Sequence, residues 1–400
     1  MKYQNVNMFR ITSICLTILF FGLMSASITH AGTYLFITEF GSQGSGDGQF
    51  SNPTAVTLDS FDNIYVADSG NDRILKFDSN GVVITQFGSK GSDDGQFNNP
   101  TGIAVDSSGN IYVADQGNNR IQKLSSTGEY ITQWGSYVIG DGTSLNPFSV
   151  AVDSSGNVYV SDTYYANNRI LKFNSTGYCL TQWGSNGKSN EQFRNPTGVA
   201  VDSFDNIYVA DKDNNRILKF DSNGNYLKQV GSQGSGDGEL FYPANVALDS
   251  SGNIYVADTY NGRIQKFDSN GTYLKQWGSY GSNAGQFKNP LGIAVSSSGN
   301  VYVADTGNNR IQVFALPPSL EETPTKNSKK GVTEEGVTEE GVTEEGVTEE
   351  GATEEGKNIY ERWIVERITV NKETLGIVGL IGLVGSIITI YDYLKKKGKM

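Results

Sequence analysis

The sequence predicts an all-β chain arranged as a six-bladed β-propeller, and three observations carry that expectation. A block like residues 99–124 recurs six times along the 400 residues. The prolines of the six copies, Pro53, Pro100, Pro147, Pro196, Pro243 and Pro290, are 47 residues apart except between Pro147 and Pro196, where the interval is 49. Each block holds three short apolar runs with a fourth run after it, and a period of that length with four strands corresponds to one blade per repeat.

The elements follow in order. Lys2 and Arg10, the apolar run 11–24 and the small residues ending Thr29-His30-Ala31 have the charged, apolar, small-residue order of a secretory signal. Residues 1–31 are therefore expected to be a signal peptide. The next run, Tyr34-Leu-Phe-Ile-Thr-Glu-Phe40, matches the fourth-strand segments 82–87 and 226–230, yet no first three strands precede it. The last copy ends at Phe314 without a fourth strand, so the N-terminal strand is expected to complete the last blade and leave no long unpaired edges.

In the block 99–124 the runs GIAV, NIYVA and RIQKL are rich in β-branched and aromatic residues. They are separated by Asp-Ser-Ser-Gly-Asn and Asp-Gln-Gly-Asn-Asn. Such runs between turn formers read as consecutive antiparallel strands, with the fourth in the segment 128–134. A four-stranded blade cannot bury both faces alone, whereas six arranged radially can. The segment NPTGIAVDSSGNIYVADQGNNRIQKL resembles the NHL repeat, and the resemblance covers about residues 32–314. It implies a six-bladed propeller (32–316). It leaves function open, because similar propellers include RNA-binding domains, receptor ectodomains, a zinc-dependent peptidylglycine lyase and lactonases.

Beyond the repeats, residues 331–355 are four Gly-Val-Thr-Glu-Glu pentapeptides and one Gly-Ala-Thr-Glu-Glu. Ten glutamates without a basic residue or an apolar core predict a disordered acidic stalk, within a low-complexity and juxtamembrane segment over 317–374. Residues 375–391 are 17 uncharged residues, at the short end of a single transmembrane helix. Lys395, Lys396, Lys397 and Lys399 in the tail 392–400 predict a cytoplasmic C-terminus under the positive-inside rule. The expected location is the cell membrane, single-pass, with the propeller extracellular.

Composition narrows the function. Residues 32–316 carry 27 acidic and 18 basic side chains, a net charge of −9, which argues against a nucleic-acid partner. Cys15 lies in the signal region, so Cys179 has no intramolecular disulfide partner after cleavage. The single histidine, His30, lies in the same region, which removes the usual general base and the favoured zinc ligand. No catalytic residue, metal site or cofactor is expected. The alternative is a lactonase- or esterase-like hydrolase using a carboxylate-held cation. Asp47, Asp94, Asp141 and Asp237 are its candidates, but their recurrence in four blades is explained by turn chemistry.

Strand directions put the long connectors before each first strand, and the second-to-third turns, on one variable face. The short Asp-Ser-Ser-Gly-Asn and Asp-Ser-Asn-Gly turns lie away from it. Residues shared by all six copies, such as Asp115 and Arg120, serve the blade in general, so a binding site needs asymmetry. The departures are Tyr137, Phe148, Tyr164 and Tyr165 around blade three, Lys212 in blade four, and Asn245 and Tyr260 in blade five. These are the candidate ligand-binding residues, and the expected partner is a protein or glycan. Asn174 and Asn270 head glycosylation sequons in third-to-fourth turns, where sugars would leave the variable face clear.

Overall fold

The computed structural model describes residues 33–135, 144–164 and 167–316. Within them the chain forms one compact unit, Thr33–Leu316, of six four-stranded antiparallel sheets. Blade one comprises, from the axis outward, Pro53–Leu58, Ile64–Asp68, Arg73–Phe77 and Val83–Phe87. Blades two to five repeat that order from Pro100, Pro147, Pro196 and Pro243. Blade six takes its inner three strands from Pro290–Val295, Val301–Asp305 and Arg310–Ala315. Its outer strand is the N-terminal Leu35–Phe40, paired antiparallel with Arg310–Ala315. The expected closure is thus observed. The signal segment, the stalk, the 375–391 span and the tail lie outside the described residues. Among the described residues no helix is long and apolar enough to cross a membrane.

The second strand of every blade, such as Ile64–Asp68 or Ile207–Asp211, is buried at each position. Neighbouring blades cover both of its faces, which is why it reads as a continuous apolar run without alternation. The outer strand has one covered face and alternates, as in Tyr226–Val230.

The shared Asp and Arg staple each connector to its blade. Asp68 is fully buried. Its Oδ2 accepts from Arg73 Nε and Asn71 Nδ2, each at 2.8 Å, and its Oδ1 accepts from the Ser51 amide at 2.7 Å. Arg73 Nη2 donates to the carbonyls of Gly46 and Gln49, and Nη1 to Gln86 of the outer strand. A buried carboxylate with three donors is satisfied, and charged hydrogen bonds are the stronger kind. The Nε–Oδ2 contact recurs at 2.7–3.0 Å in the other blades, for example Asp115–Arg120 and Asp162–Arg169. The sequence-based reading of these residues as general scaffold is correct.

A hydroxyl closes each seam between neighbouring blades. Thr54 Oγ1 donates to Thr101 O, Thr101 Oγ1 to Phe148 O and Ser161 Oγ to Thr197 O. Thr197 Oγ1 donates to Ala244 O, Thr259 Oγ1 to Pro290 O and Thr306 Oγ1 to Pro53 O. The last bond joins blade six to blade one.

Two positions at the closure differ from the other blades. Gly81, Gly128, Gly177, Gly224 and Gly271, with φ between 79° and 88°, sit against the end of the preceding outer strand. In blade six the corresponding residue is Tyr34, which stacks on Trp277 with centroids 4.2 Å apart and 23° between planes. Its hydroxyl is 2.8 Å from that of Tyr255. Where the other outer strands present Gln86, Gln133, Gln182, Gln229 or Gln276, the closing strand has Glu39, whose Oε2 accepts from Arg310 Nη1 at 2.7 Å. The strand that arrives from a remote part of the chain is therefore held by an ion pair and a ring stack.

Candidate binding face

Antiparallel strand order separates the two faces as expected. Each second-to-third turn hydrogen-bonds to its own connector: Asn71 Nδ2 to Gly44 O, Asn261 Nδ2 to Gly234 O, Asn308 Nδ2 to Gly281 O. In blade six Val301 pairs with Phe314, so Phe314 lies at the short-turn end, opposite the connectors.

The inner strands surround a central cavity of about 240 Å³. Among its lining residues only Thr57, Ser149 and Asn245 have polar side chains, and none is ionisable. One position of this ring alternates between glycine and larger residues: Ala55, Gly102, Ser149, Gly198, Asn245 and Gly292. A methyl group at Gly102 would lie 2.7 Å from Ser149 Cα, one at Gly198 2.6 Å from Asn245 Cα, and one at Gly292 2.8 Å from Ala55 Cα. Neighbouring inner strands approach closely only where one partner lacks a side chain. Asn245 thus lines the channel and complements Gly198, which gives this departure a packing reason.

The other candidates lie in different places. Phe148 is half-buried on an inner strand. Tyr164 is half-buried in its turn, its carbonyl accepting from the amides of Asn167 and Asn168. Lys212 opens the blade-four turn, and its carbonyl accepts from the Asn215 amide. Tyr137 and Tyr165 lie outside the described residues, as does Asp141. Asn174 heads its turn, with Oδ1 accepting from the Thr176 and Tyr178 amides; Asn270 is exposed.

Tyr260 belongs to a cluster that sequence reasoning missed. Its ring stacks on Tyr242 at 4.5 Å and 29°, and Phe241 meets both edge-on at 5.0 and 5.6 Å. Tyr260 is 57% exposed. Among the described residues, twelve non-glycine residues have positive φ; eleven are Asn or Asp, and the twelfth is Tyr242 at 52°. Asn52, Asn99, Asn195 and Asn289 occupy its place in four other blades. A left-handed residue without a short polar side chain costs roughly 1–2 kcal/mol. The signal for this cluster was available in the chain as Phe-Tyr before Pro243 where Asn precedes the other prolines.

On the opposite face, Tyr65 donates to Asp59 Oδ2 at 3.2 Å while Lys76 Nζ sits 4.8 Å above its ring. Burial and the Asp59 carboxylate's counterparts push the hydroxyls of Tyr112, Tyr159 and Tyr208 up, out of reach of ordinary titration. In blade six the Asp and Lys are replaced together, by Ser296 and Val313. The short turns there also carry Phe61 and Phe204 at 83% and 84% exposure, in blades one and four.

Of the hydrolase candidates, Asp94 lies beside Tyr130 and Asp237 beside Tyr273, and burial together with these carboxylates pushes the two tyrosine hydroxyls up. Among the described residues no three His, Cys, Asp or Glu side chains converge as a metal site would require.

Residues 97–124 and 287–314 match the NHL repeat family, residues 202–258 a family described as a 6-bladed beta-propeller, and residues 129–161 one described as a beta-propeller repeat. No curated protein sequence matches the chain. Among solved structures, a streptogramin B lyase is similar at 16% identity and TM-score 0.51, over 71% of this chain and 98% of its own. A Bacteroides thetaiotaomicron protein of unknown function is similar at 18% and 0.54, over 70% and 75%. A gluconolactonase from Xanthomonas campestris is similar at 14% and 0.52, over 72% and 98%. At these identities the likeness speaks to the fold alone. The chain carries NHL repeats on a six-bladed propeller.

Proposed function

We propose that this propeller is a non-catalytic binding module that presents its connector face to a protein or glycan ligand. In this reading it stands at the cell surface on the acidic stalk, anchored by the 375–391 span with the C-terminus cytoplasmic. Sugars on Asn174 and Asn270 would sit on the third-to-fourth turns. The observation that carries the reading is the contrast between two regions. Among the described residues the cavity wall has no ionisable side chain, while large aromatic departures gather on loops of the connector face.

The test has two parts. Capture of surface ligands by the full chain is compared with capture by variants of the connector face, such as Phe148→Ala with Tyr164→Ala, or Tyr260→Ala. Binding that no connector-face variant alters would refute the assignment of the face. Lactonase or esterase turnover that EDTA abolishes would replace the reading with the hydrolase alternative. Protease treatment of intact cells tests the topology: the propeller is expected to be accessible and residues 392–400 protected.

A further inference from the structure

We propose that Phe241, Tyr242 and Tyr260 form a stacking platform for a neutral oligosaccharide on blade five. The proposal rests on the connector face being the binding face and names its ligand. Apart from Tyr164, which follows Asp162 at the same interval as Tyr260 follows Asp258, the corresponding positions elsewhere are small or polar. Phe241 stands where the other blades have Ser51, Asn98, Asn146, Arg194 and Lys288, and Tyr260 where blades one, two and six have Gly70, Gly117 and Gly307. Three aromatic replacements in one blade, all in mutual ring contact, form a unit.

The platform is rigid. Phe241 N donates to Asp258 Oδ1 at 2.7 Å, Tyr242 N to Asn215 Oδ1 at 2.8 Å, and Tyr260 N to the Phe241 carbonyl at 3.1 Å. Rings mounted on a fixed backbone lose little freedom when a ligand arrives. The left-handed backbone of Tyr242 is retained although Asn suits that position in four other blades, and such outliers concentrate at ligand sites. Beside the platform, Gly262 replaces the Asp or Asn of the other blades, and a methyl group there would lie 2.9 Å from Tyr280 Cα. This brings Tyr280, 65% exposed, against the same turn.

The chemistry selects the ligand. A pyranose offers an apolar C–H face for a ring and hydroxyls at its rim; the Tyr242 and Tyr260 hydroxyls make no hydrogen bond to other described residues. No charged group belongs to the cluster, and nearby Asp258 is buried against Arg263 at 2.7 Å, so an anionic ligand gains nothing. Size points the same way. With aromatic side chains of roughly 200 Å² each, the partly exposed cluster offers on the order of 200 Å². That matches one or two sugar rings and falls well short of the roughly 800 Å² per partner of a protein interface.

The full chain and its variants are titrated calorimetrically with cellohexaose, maltohexaose, mannohexaose and chitohexaose. Saturable binding to at least one is expected, weakened at least tenfold by Tyr260→Ala and by Tyr242→Asn, and changed less than twofold by Phe61→Ala on the opposite face. Tyr242→Asn is the folding control, because it installs the residue used by four other blades; its unfolding midpoint is expected at or above that of the parent. Absence of binding to all four sugars, or binding undiminished in both variants, overturns the proposal. If a protein ligand is captured through Tyr260, or sugars bind through Phe148 and Tyr164, the ligand assignment fails while the binding-face reading stands. If the connector face binds neither class, both fail.

Discussion

Replacing Tyr34 by alanine tests how the ring is closed. The side chain is 5% exposed, stacked on Trp277 at 4.2 Å, and bonded through its hydroxyl to Tyr255. Burying roughly 150–250 Å² of aromatic surface at about 25 cal/mol per Å² corresponds to roughly 4–6 kcal/mol. That is an upper bound, since an unfolded chain already buries part of this surface. Partial relaxation of the packing around the site brings the expected loss to about 3 kcal/mol, within the range for aromatic-to-alanine changes. Tyr34→Phe keeps the stack and removes one hydroxyl, while Tyr255 still donates to Asp249 Oδ2 at 3.0 Å; its cost is expected to be about 1 kcal/mol. Tyr34→Gly installs the residue present in the other five blades. It is nevertheless expected to match alanine or do worse, because those glycines continue from a third strand that Tyr34 does not have. Guanidinium unfolding followed by tryptophan fluorescence gives the energies. Hydrogen exchange should show Leu35–Phe40 and Arg310–Ala315 losing protection together while Pro100–Val105 keeps it. A Tyr34→Ala protein within about 0.5 kcal/mol of the parent, with both strands still protected, would refute the closure argument.

Tyr242→Asn relieves a left-handed tyrosine, worth roughly 1–2 kcal/mol, and removes its ring contacts with Phe241 and Tyr260, worth roughly 0.5–1.5 kcal/mol each, so the thermal midpoint should stay level or rise slightly; a clear fall would show that the strain relieved is smaller than the stacking lost. Arg216→Leu leaves the buried Asp211 carboxylate without its guanidinium partner, and equilibrium unfolding should show a loss of about 3–5 kcal/mol. Gly198→Ala forces a methyl group to within 2.6 Å of Asn245 Cα, so it should destabilise, and Gly198→Ala with Asn245→Gly should recover part of the loss; additive losses would count against complementary packing. Burial pushes the carboxyl pKa values of Asp59, Asp202 and Asp249 up, but Asn and backbone donors with Lys76, Lys219 and Lys266 outweigh it and hold them below the usual carboxylate range. The folded value lies below the unfolded one, so this stabilisation is complete above about pH 4 and is lost as pH falls through the folded values. Thermal midpoints measured from pH 6 to 2 should therefore drop in that acid window, and less so after Asp249→Ser with Lys266→Val, the pair found in blade six.

Much of the architecture was legible because it is written six times. A strand buried on both faces must be apolar throughout, so Ile-Tyr-Val-Ala recurs with its terminal Asp, and the unmatched runs at the two ends reveal which strands pair. The candidate site was less legible. Tyr260 stood out against glycine, but Phe241 and Tyr242 passed as part of a connector, since ring contacts join residues about 20 positions apart and leave no periodic trace. That Asn245 also has a packing partner became visible only with its close approach to Gly198.

The sequence by itself determined the blade count, the strand order within a blade, the closing strand and the role of the Asp–Arg staple, because each rests on local pattern or on repetition. Only the tertiary structure decided which departures matter. It placed Tyr34 on Trp277, Asn245 on the channel wall opposite a glycine, and Tyr242 with Tyr260 in one rigid stack. Those relations depend on the distance between atoms from separate strands or neighbouring blades, and that distance is set by how six twisted sheets pack around an axis.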